Sequence, residues 1–77
     1  MKTADDWKSQ AKQLIRAEMK LRTLSYADLA NRMQSLGLNA NERTLANKIA
    51  AGGFSAAFFL QCMEAIGVKA IHLDGGI

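Results

Sequence analysis

The stretch FSAAFFLQCMEAI, residues 54–66, decides the fold, and Gly67 follows it directly. It contains all three phenylalanines and the only cysteine of the chain. Beyond Ser55, its strongly polar side chains are Gln61 and Glu64. A helix that is apolar almost all round belongs in the middle of a domain. The segment therefore predicts a central helix that is capped by Ser55, ended by Gly67 and covered by the other elements.

Length and composition predict one small globular domain. The 77 residues leave no room for a second domain, and 49% hydrophobic with 22% charged residues is typical of a soluble protein. Residues 1–20 are too polar for a signal peptide, and no apolar run reaches the roughly 20 residues needed to cross a bilayer. A single cysteine and the lack of zinc-site spacing favour the cytoplasm and predict neither a metal nor a cofactor.

Apolar side chains recur at helical spacing before the central helix and predict three more helices. A capping box at Ser25 starts the second of them, Gly37 ends it, and Gly52 ends the third. The predicted bounds are residues 6–22, 26–36 and 42–51. Residues 68–73 alternate between apolar and polar as a short strand does, and residues 74–77 form a frayed tail. The expected fold is an all-α bundle of four to five helices with a core over about residues 7–68, plus that C-terminal strand.

The first predicted helix has an apolar stripe and a basic ridge. The stripe consists of Trp7, Ala11, Leu14, Ile15 and Leu21. The ridge consists of four cations spaced four residues apart, namely Lys8, Lys12, Arg16 and Lys20. Such ridges are usually solvated faces, and phosphate contact is the less favoured alternative. Glu18 lies within the apolar stripe, where an unpaired carboxylate is costly, so it is expected to pair with Arg22, Arg32 or Arg43.

The third predicted helix has a polar outward face suited to nucleic acid. Leu45 and Ile49 point inward at about 100° per residue, and the outward side chains are Arg43, Thr44 and Asn47, with Lys48 at the edge. Arginine can donate two hydrogen bonds to guanine, asparagine forms a two-bond pair with adenine, and lysine or threonine suits phosphate. The preceding helix makes a pair whose second member can enter the major groove. An ordinary polar helix face would carry the same residues, so spacing alone leaves both interpretations open.

Three segments add a family pattern. Residues 25–30 end in a Leu-Ala pair, residues 43–52 are closed by glycine, and residues 60–68 end in Ala-Ile-Gly-Val. This order resembles the phage repressor/Cro-like helix-turn-helix class, and residues 47–52 and 54–62 are similar to a small uncharacterised bacterial domain family with that fold. The resemblance, over about residues 7–68, implies a single helix-turn-helix domain.

The resulting hypothesis is a small DNA-binding transcriptional regulator that is not an enzyme. Arg43, Thr44 and Asn47 would meet bases, with Asn41 nearby at the helix start, while Lys48 and the start of the second helix at Ser25 and Tyr26 would position the DNA backbone. The expected partner is double-stranded DNA, with no membrane and no small-molecule substrate. A homodimer that pairs through residues 68–73 is a further expectation, since two copies can span two half-sites.

The alternative is a protein-interaction module that has kept the fold and does not bind DNA. The net charge is only +3, and Ala51 and Gly53 lack the basic side chains that flank this position in similar domains. Phe58 and Leu60 form an apolar surplus that needs the first helix, the tail or a second chain as cover. Catalysis has little support, because Cys62 reads as a small core residue and His72 has no visible partner.

Overall fold

Four α-helices make up the part of the chain that the computed structural model describes, residues 1–71. They are α1 (Ala4–Leu21), α2 (Tyr26–Ser35), α3 (Glu42–Ala51) and α4 (Ala56–Ile66). The all-α prediction is confirmed, and the bounds of α3 and α4 are those predicted. Helix α1 begins two residues earlier than predicted and ends one residue earlier, and α2 also ends one residue earlier.

Side-chain caps set the helix starts. Thr3 caps α1: its hydroxyl accepts a hydrogen bond from the Asp6 amide at 3.2 Å, and its own amide donates to the Asp6 carboxylate at 2.8 Å. Ser25 and Asp28 form the same reciprocal pair at the start of α2. A capping box satisfies two free amides at once. The start of α1 was predicted too late because Thr3 is the cap, so that Asp6 is the third residue of the helix instead of its first.

The core lies where α3 and α4 each pack against both α1 and α2. Five of its side chains come from α4, more than from any other helix, although the predicted all-round cover is absent because Leu60 is 62% exposed. They are Phe58, Cys62, Met63, Ala65 and Ile66. Helix α2 adds Leu29, Ala30 and Met33, and α3 adds Leu45 and Ile49.

The inward face of α1 differs from the predicted stripe. Ile15 and Met19 are the buried residues of α1, and they lie four positions apart on one face. Trp7 is 58% exposed and Leu21 is 77% exposed, so both predicted core positions are wrong. The predicted stripe was rotated away from the observed buried face of α1, because the prediction did not include Met19. Glu18 lies at the edge of the core face and pairs with Arg22 at 2.6 Å, one of the three partners expected.

The end of α4 closes without a strand. Gly67 has a φ of 93°, and the amide of Val68 donates to the Met63 carbonyl at 2.9 Å, which satisfies the last turn of the helix. Residues 68–71 run without regular structure, and the described residues contain neither a fifth helix nor a strand. The predicted strand is therefore wrong over 68–71, because nothing in residues 1–71 offers it an edge to pair with; its remainder and the predicted frayed tail lie outside the described residues. Within the described residues, none of the helices combines the length and apolarity needed to cross a membrane.

Candidate nucleic-acid interface

The outward face of α3 is fixed by what its inward face buries. Leu45 is 2% exposed and Ile49 is fully buried, so the side chains of Arg43 and Asn47 point to solvent. Neither side chain makes a hydrogen bond or an ion pair with any residue of the described range 1–71. Within residues 1–71, their donors and acceptors are therefore not used by the fold.

The start of α3 has a structural role of its own. The side-chain oxygen of Asn41 accepts a hydrogen bond from the Thr44 amide at 2.8 Å and caps the helix. Asn41, Thr44 and Lys48 line one recess of about 190 Å³ on the side that faces α4, together with Gln61. These three predicted residues are thus brought together, but on a different side of α3 from Arg43 and Asn47.

Lys48 lies over an aromatic ring of α4. Its ammonium nitrogen is 4.7 Å from the centre of the Phe58 ring, a cation–π contact, while most of the side chain stays exposed. Phe58 itself is only 7% exposed. The contact directs the charge of Lys48 toward the connection between α3 and α4.

The two predicted residues at the start of α2 are partly committed to the fold. The hydroxyl of Ser25 caps the helix, and the hydroxyl of the half-buried Tyr26 accepts a hydrogen bond from the Nε of Arg16 at 3.2 Å. Tyr26 therefore brings Arg16 of α1 to the start of α2.

The basic ridge of α1 is more than a solvated face. Lys12 donates a hydrogen bond from its ammonium group to the Ala50 carbonyl near the end of α3, at 3.2 Å. Lys8 lies against Gly52 and Gly53, and Arg16 reaches Tyr26. The ridge thus connects the end of α3 with the start of α2. The sequence indicated this ridge by four cations spaced four residues apart. That spacing does not show which helices lie beside the ridge.

Helices α2 and α3 pack against each other and are joined by residues 36–41. Gly37 takes a φ of 84° in this connection, and the Gln34 side-chain amide donates to the Ala40 carbonyl at 2.7 Å. The usual helix-turn-helix connection has about 3–4 residues. The connection here has six residues, with a turn at Leu36 and Gly37 followed by residues 38–41 without regular structure.

The described residues offer little for catalysis or metal binding. Within residues 1–71, no cluster of three or more His, Cys, Asp or Glu side chains is arranged to hold a metal ion. Burial raises the pKa of the Cys62 thiol to about 11, so it is protonated at neutral pH, as expected for a core residue. His72 lies outside the described residues.

Comparison with known proteins gives a family without an assigned activity. No curated protein and no solved structure matches the chain. The model of one protein family, whose description is "Domain of unknown function (DUF6471)", matches residues 7–71. Because this match covers α2, α3, α4 and nearly all of α1, the chain belongs to the DUF6471 family.

Proposed function

We propose that this protein is a small DNA-binding regulator of the repressor/Cro-like helix-turn-helix kind, with α3 as its recognition helix. The observation that carries the proposal is the outward face of α3, where Arg43 and Asn47 are exposed and without partners among residues 1–71. Both residue types can read base edges through two hydrogen bonds. The inward anchors Leu45 and Ile49 hold that face in a fixed orientation.

The spacing of the two side chains suits neighbouring base pairs. Residues four apart on a helix are separated by about 6 Å along its axis. Base pairs rise about 3.4 Å per step, so Arg43 and Asn47 reach bases one or two steps apart. Thr44 and Asn41 lie at the α4 side of α3 and contact bases or sugars at the edge of the groove, with Asn41 using the amide group that its capping bond leaves free.

The proposed backbone contacts are Lys48, Ser25 and Tyr26. Lys48 supplies a charge beside the end of α3, and Ser25 and Tyr26 lie at the start of α2, where Arg16 adds a cation. Contacts of this type fix the position of a protein on DNA without reading sequence. A homodimer remains part of the proposal, because it would place two such units on two half-sites. Sedimentation at high micromolar protein concentration tests this expectation. A monomeric mass at that concentration would contradict the homodimer.

The test begins with selection of bound sequences from a random duplex pool by the full chain. If a motif is enriched, Arg43→Ala and Asn47→Ala should each weaken binding to it by about 1–3 kcal/mol and relax the preference at one position. Lys2→Ala is the matched control, because it removes an exposed cation that lies over the Trp7 ring and away from α3. Circular dichroism confirms that each variant is folded. A folded double variant that binds the motif as tightly as wild type would eliminate the base-reading role of Arg43 and Asn47.

A second candidate is a protein-interaction module, favoured by apolar surface on the other flank of α1. Trp7 is 58% exposed and Leu60 is 62% exposed, and a groove of about 280 Å³ runs between α1 and α4. Its lining includes Ala11, Leu14, Phe54, Ala56 and Phe59. Phe58, which the sequence assigned to this surplus, belongs to the core instead. Retention on duplex DNA with a steep salt dependence favours the regulator, and no retention at low salt favours the interaction module.

A further inference from the structure

Besides the basic ridge of α1, the described residues form a recess where α1, α3 and α4 meet. Lys8 of α1 and Lys48 of α3 both line this space of about 440 Å³, together with residues of the connection between α3 and α4. The other lining residues are Ala51, Gly53, Phe54, Ser55 and Phe58. None of them is acidic, so two positive charges face the recess without a carboxylate in its lining.

The position of Lys8 follows from a close approach of two backbones. Gly52 has a φ of 72°, and a Cβ at this residue would lie 2.6 Å from the Lys8 carbonyl oxygen. Helix α1 can approach the end of α3 this closely only because residue 52 has no side chain. The side chain of Lys8 then runs along Gly53, and its ammonium nitrogen is 3.9 Å from the point where a Cβ on Gly53 would lie.

Lys8 and Lys48 lack a neutralising partner within residues 1–71. Neither ammonium group forms an ion pair or a hydrogen bond there, and Lys48 has only the Phe58 ring beneath it. Like charges that converge on one recess repel each other, and an anion between them removes that repulsion. Other cations of the ridge differ, because Lys12 and Arg16 already donate to Ala50 and Tyr26.

We propose that Lys8 and Lys48 together bind a phosphate of the duplex backbone, so that α1 is part of the DNA interface; this inference rests on the proposed function. Lysine binds phosphate as a point charge and does not require a planar fork of donors. Lys8 thereby supplies, from a distant part of the chain, the positive charge that Ala51 and Gly53 do not provide beside the end of α3.

The experiment measures the affinity of the full chain for duplex DNA across a salt series. The wild type is compared with Lys8→Gln, Lys48→Gln and the double variant, and Lys2→Gln is the control. That control removes the same charge from a residue that lies over the Trp7 ring and does not line the recess. The slope of log affinity against log salt is expected to fall by about 1 in the double variant, since one phosphate contact is lost. Lys2→Gln is expected to leave the slope unchanged.

Sequence dependence provides a second readout. The double variant of Lys8 and Lys48 should weaken binding by a similar factor for a selected and a scrambled duplex, because phosphate contacts carry no sequence information. Lys8→Arg keeps the charge and should retain most of the affinity, which separates lost charge from a disturbed fold. Thermal unfolding followed by circular dichroism verifies that each variant has the wild-type structure.

The outcomes separate the two proposals. If the wild type does not bind any duplex at low salt, the proposed function and this inference both fail. If the wild type binds and Lys8→Gln has the wild-type affinity and slope, the inference alone fails and α3 can still be the recognition helix. A loss of slope in Lys8→Gln that does not occur in Lys8→Arg supports the phosphate contact.

Discussion

The two ends of α3 are held in different ways, although a left-handed glycine lies near each. At the C-terminal end, Gly52 is pressed against the backbone of α1, and Lys12 donates to the Ala50 carbonyl. At the N-terminal end, the space around Gly37 is open, with no atom within 4 Å of where its Cβ would be. Asn41 caps the helix there with a single local hydrogen bond.

This difference indicates where the position of α3 is set. Its C-terminal end is clamped between α1 and the core, while its N-terminal end depends on a connection that tolerates side chains. Any adjustment of α3 to a groove therefore has to come from residues 36–41. The clamped end keeps Lys8, Lys48 and the end of α3 together, and the proposed phosphate contact depends on that arrangement.

The largest expected effect comes from Gly52→Ala. The left-handed backbone costs an alanine about 1–2 kcal/mol, and the overlap with the Lys8 carbonyl adds about 1–3 kcal/mol of strain, so a total loss near 3 kcal/mol is expected. Gly37→Ala is the matched control: it has the backbone cost without the overlap, and should lose about 1 kcal/mol. Urea unfolding followed by circular dichroism measures both. Equal losses for the two variants would show that α1 does not clamp the end of α3.

The sequence predicted both glycines as helix ends but could not rank them. A glycine after a helical pattern predicts a left-handed residue, and Gly37, Gly52 and Gly67 all fulfil that prediction. What distinguishes Gly52 is Lys8, which is distant in the chain and comes close only when α1 packs on α3. No local pattern contains this information.

For the candidate site, the sequence predicted the exposed face of α3 but not the position of Lys8 beside it. Leu45 and Ile49 fix the orientation of α3 by helical periodicity, so the exposure of Arg43 and Asn47 followed from the sequence alone. Lys8 was treated as one member of a solvated ridge, because the sequence gives the face of α1 but not the helix opposite it. Met19 was left out of the predicted α1 stripe for the same reason. A side chain at the edge of an apolar stripe is buried or exposed according to the helix that packs against it, and the sequence does not show which helix that is.

An intermediate effect is expected for Lys12→Gln, which removes the cation from the C-terminal end of α3. A positive charge near the last carbonyls of a helix stabilises it by about 0.3–1 kcal/mol, and Lys12 also donates a hydrogen bond there. We expect a loss of about 0.5 kcal/mol in urea unfolding, reduced at high salt. Lys12→Arg keeps the cation at this position and is the control; it should retain the wild-type stability. If the two variants have the same stability, the contact between Lys12 and Ala50 does not help to clamp α3.

The smallest effect concerns pH and separates the start of α3 from the starts of α1 and α2. The hydrogen bond from the Ser25 amide, followed by the contribution of the Ser25 side chain, lowers the pKa of Asp28 below its ordinary value of 3.8, and Thr3 has the same effect on Asp6. A lowered pKa in the folded state gives stability that is present above about pH 4 and is lost as the pH falls through the folded value. The N-cap of α3, Asn41, has no titrating group, so acid should weaken the starts of α1 and α2 and leave that of α3 intact.

Asp28→Asn tests this expectation, because asparagine keeps the acceptor oxygen and removes the titration. The melting temperature of the wild type should fall between pH 5 and pH 3, the interval around the ordinary value of 3.8, and the fall should be smaller in Asp28→Asn. Asp5→Asn removes the same charge from the first turn of α1, outside the capping box, and should keep the full wild-type fall. An Asp28→Asn profile parallel to that of Asp5→Asn would mean that the α2 cap does not contribute to acid sensitivity. Amide exchange at low pH then places the effect: earlier exchange near Asp28 than near Thr44 is the result that an uncharged α3 cap requires.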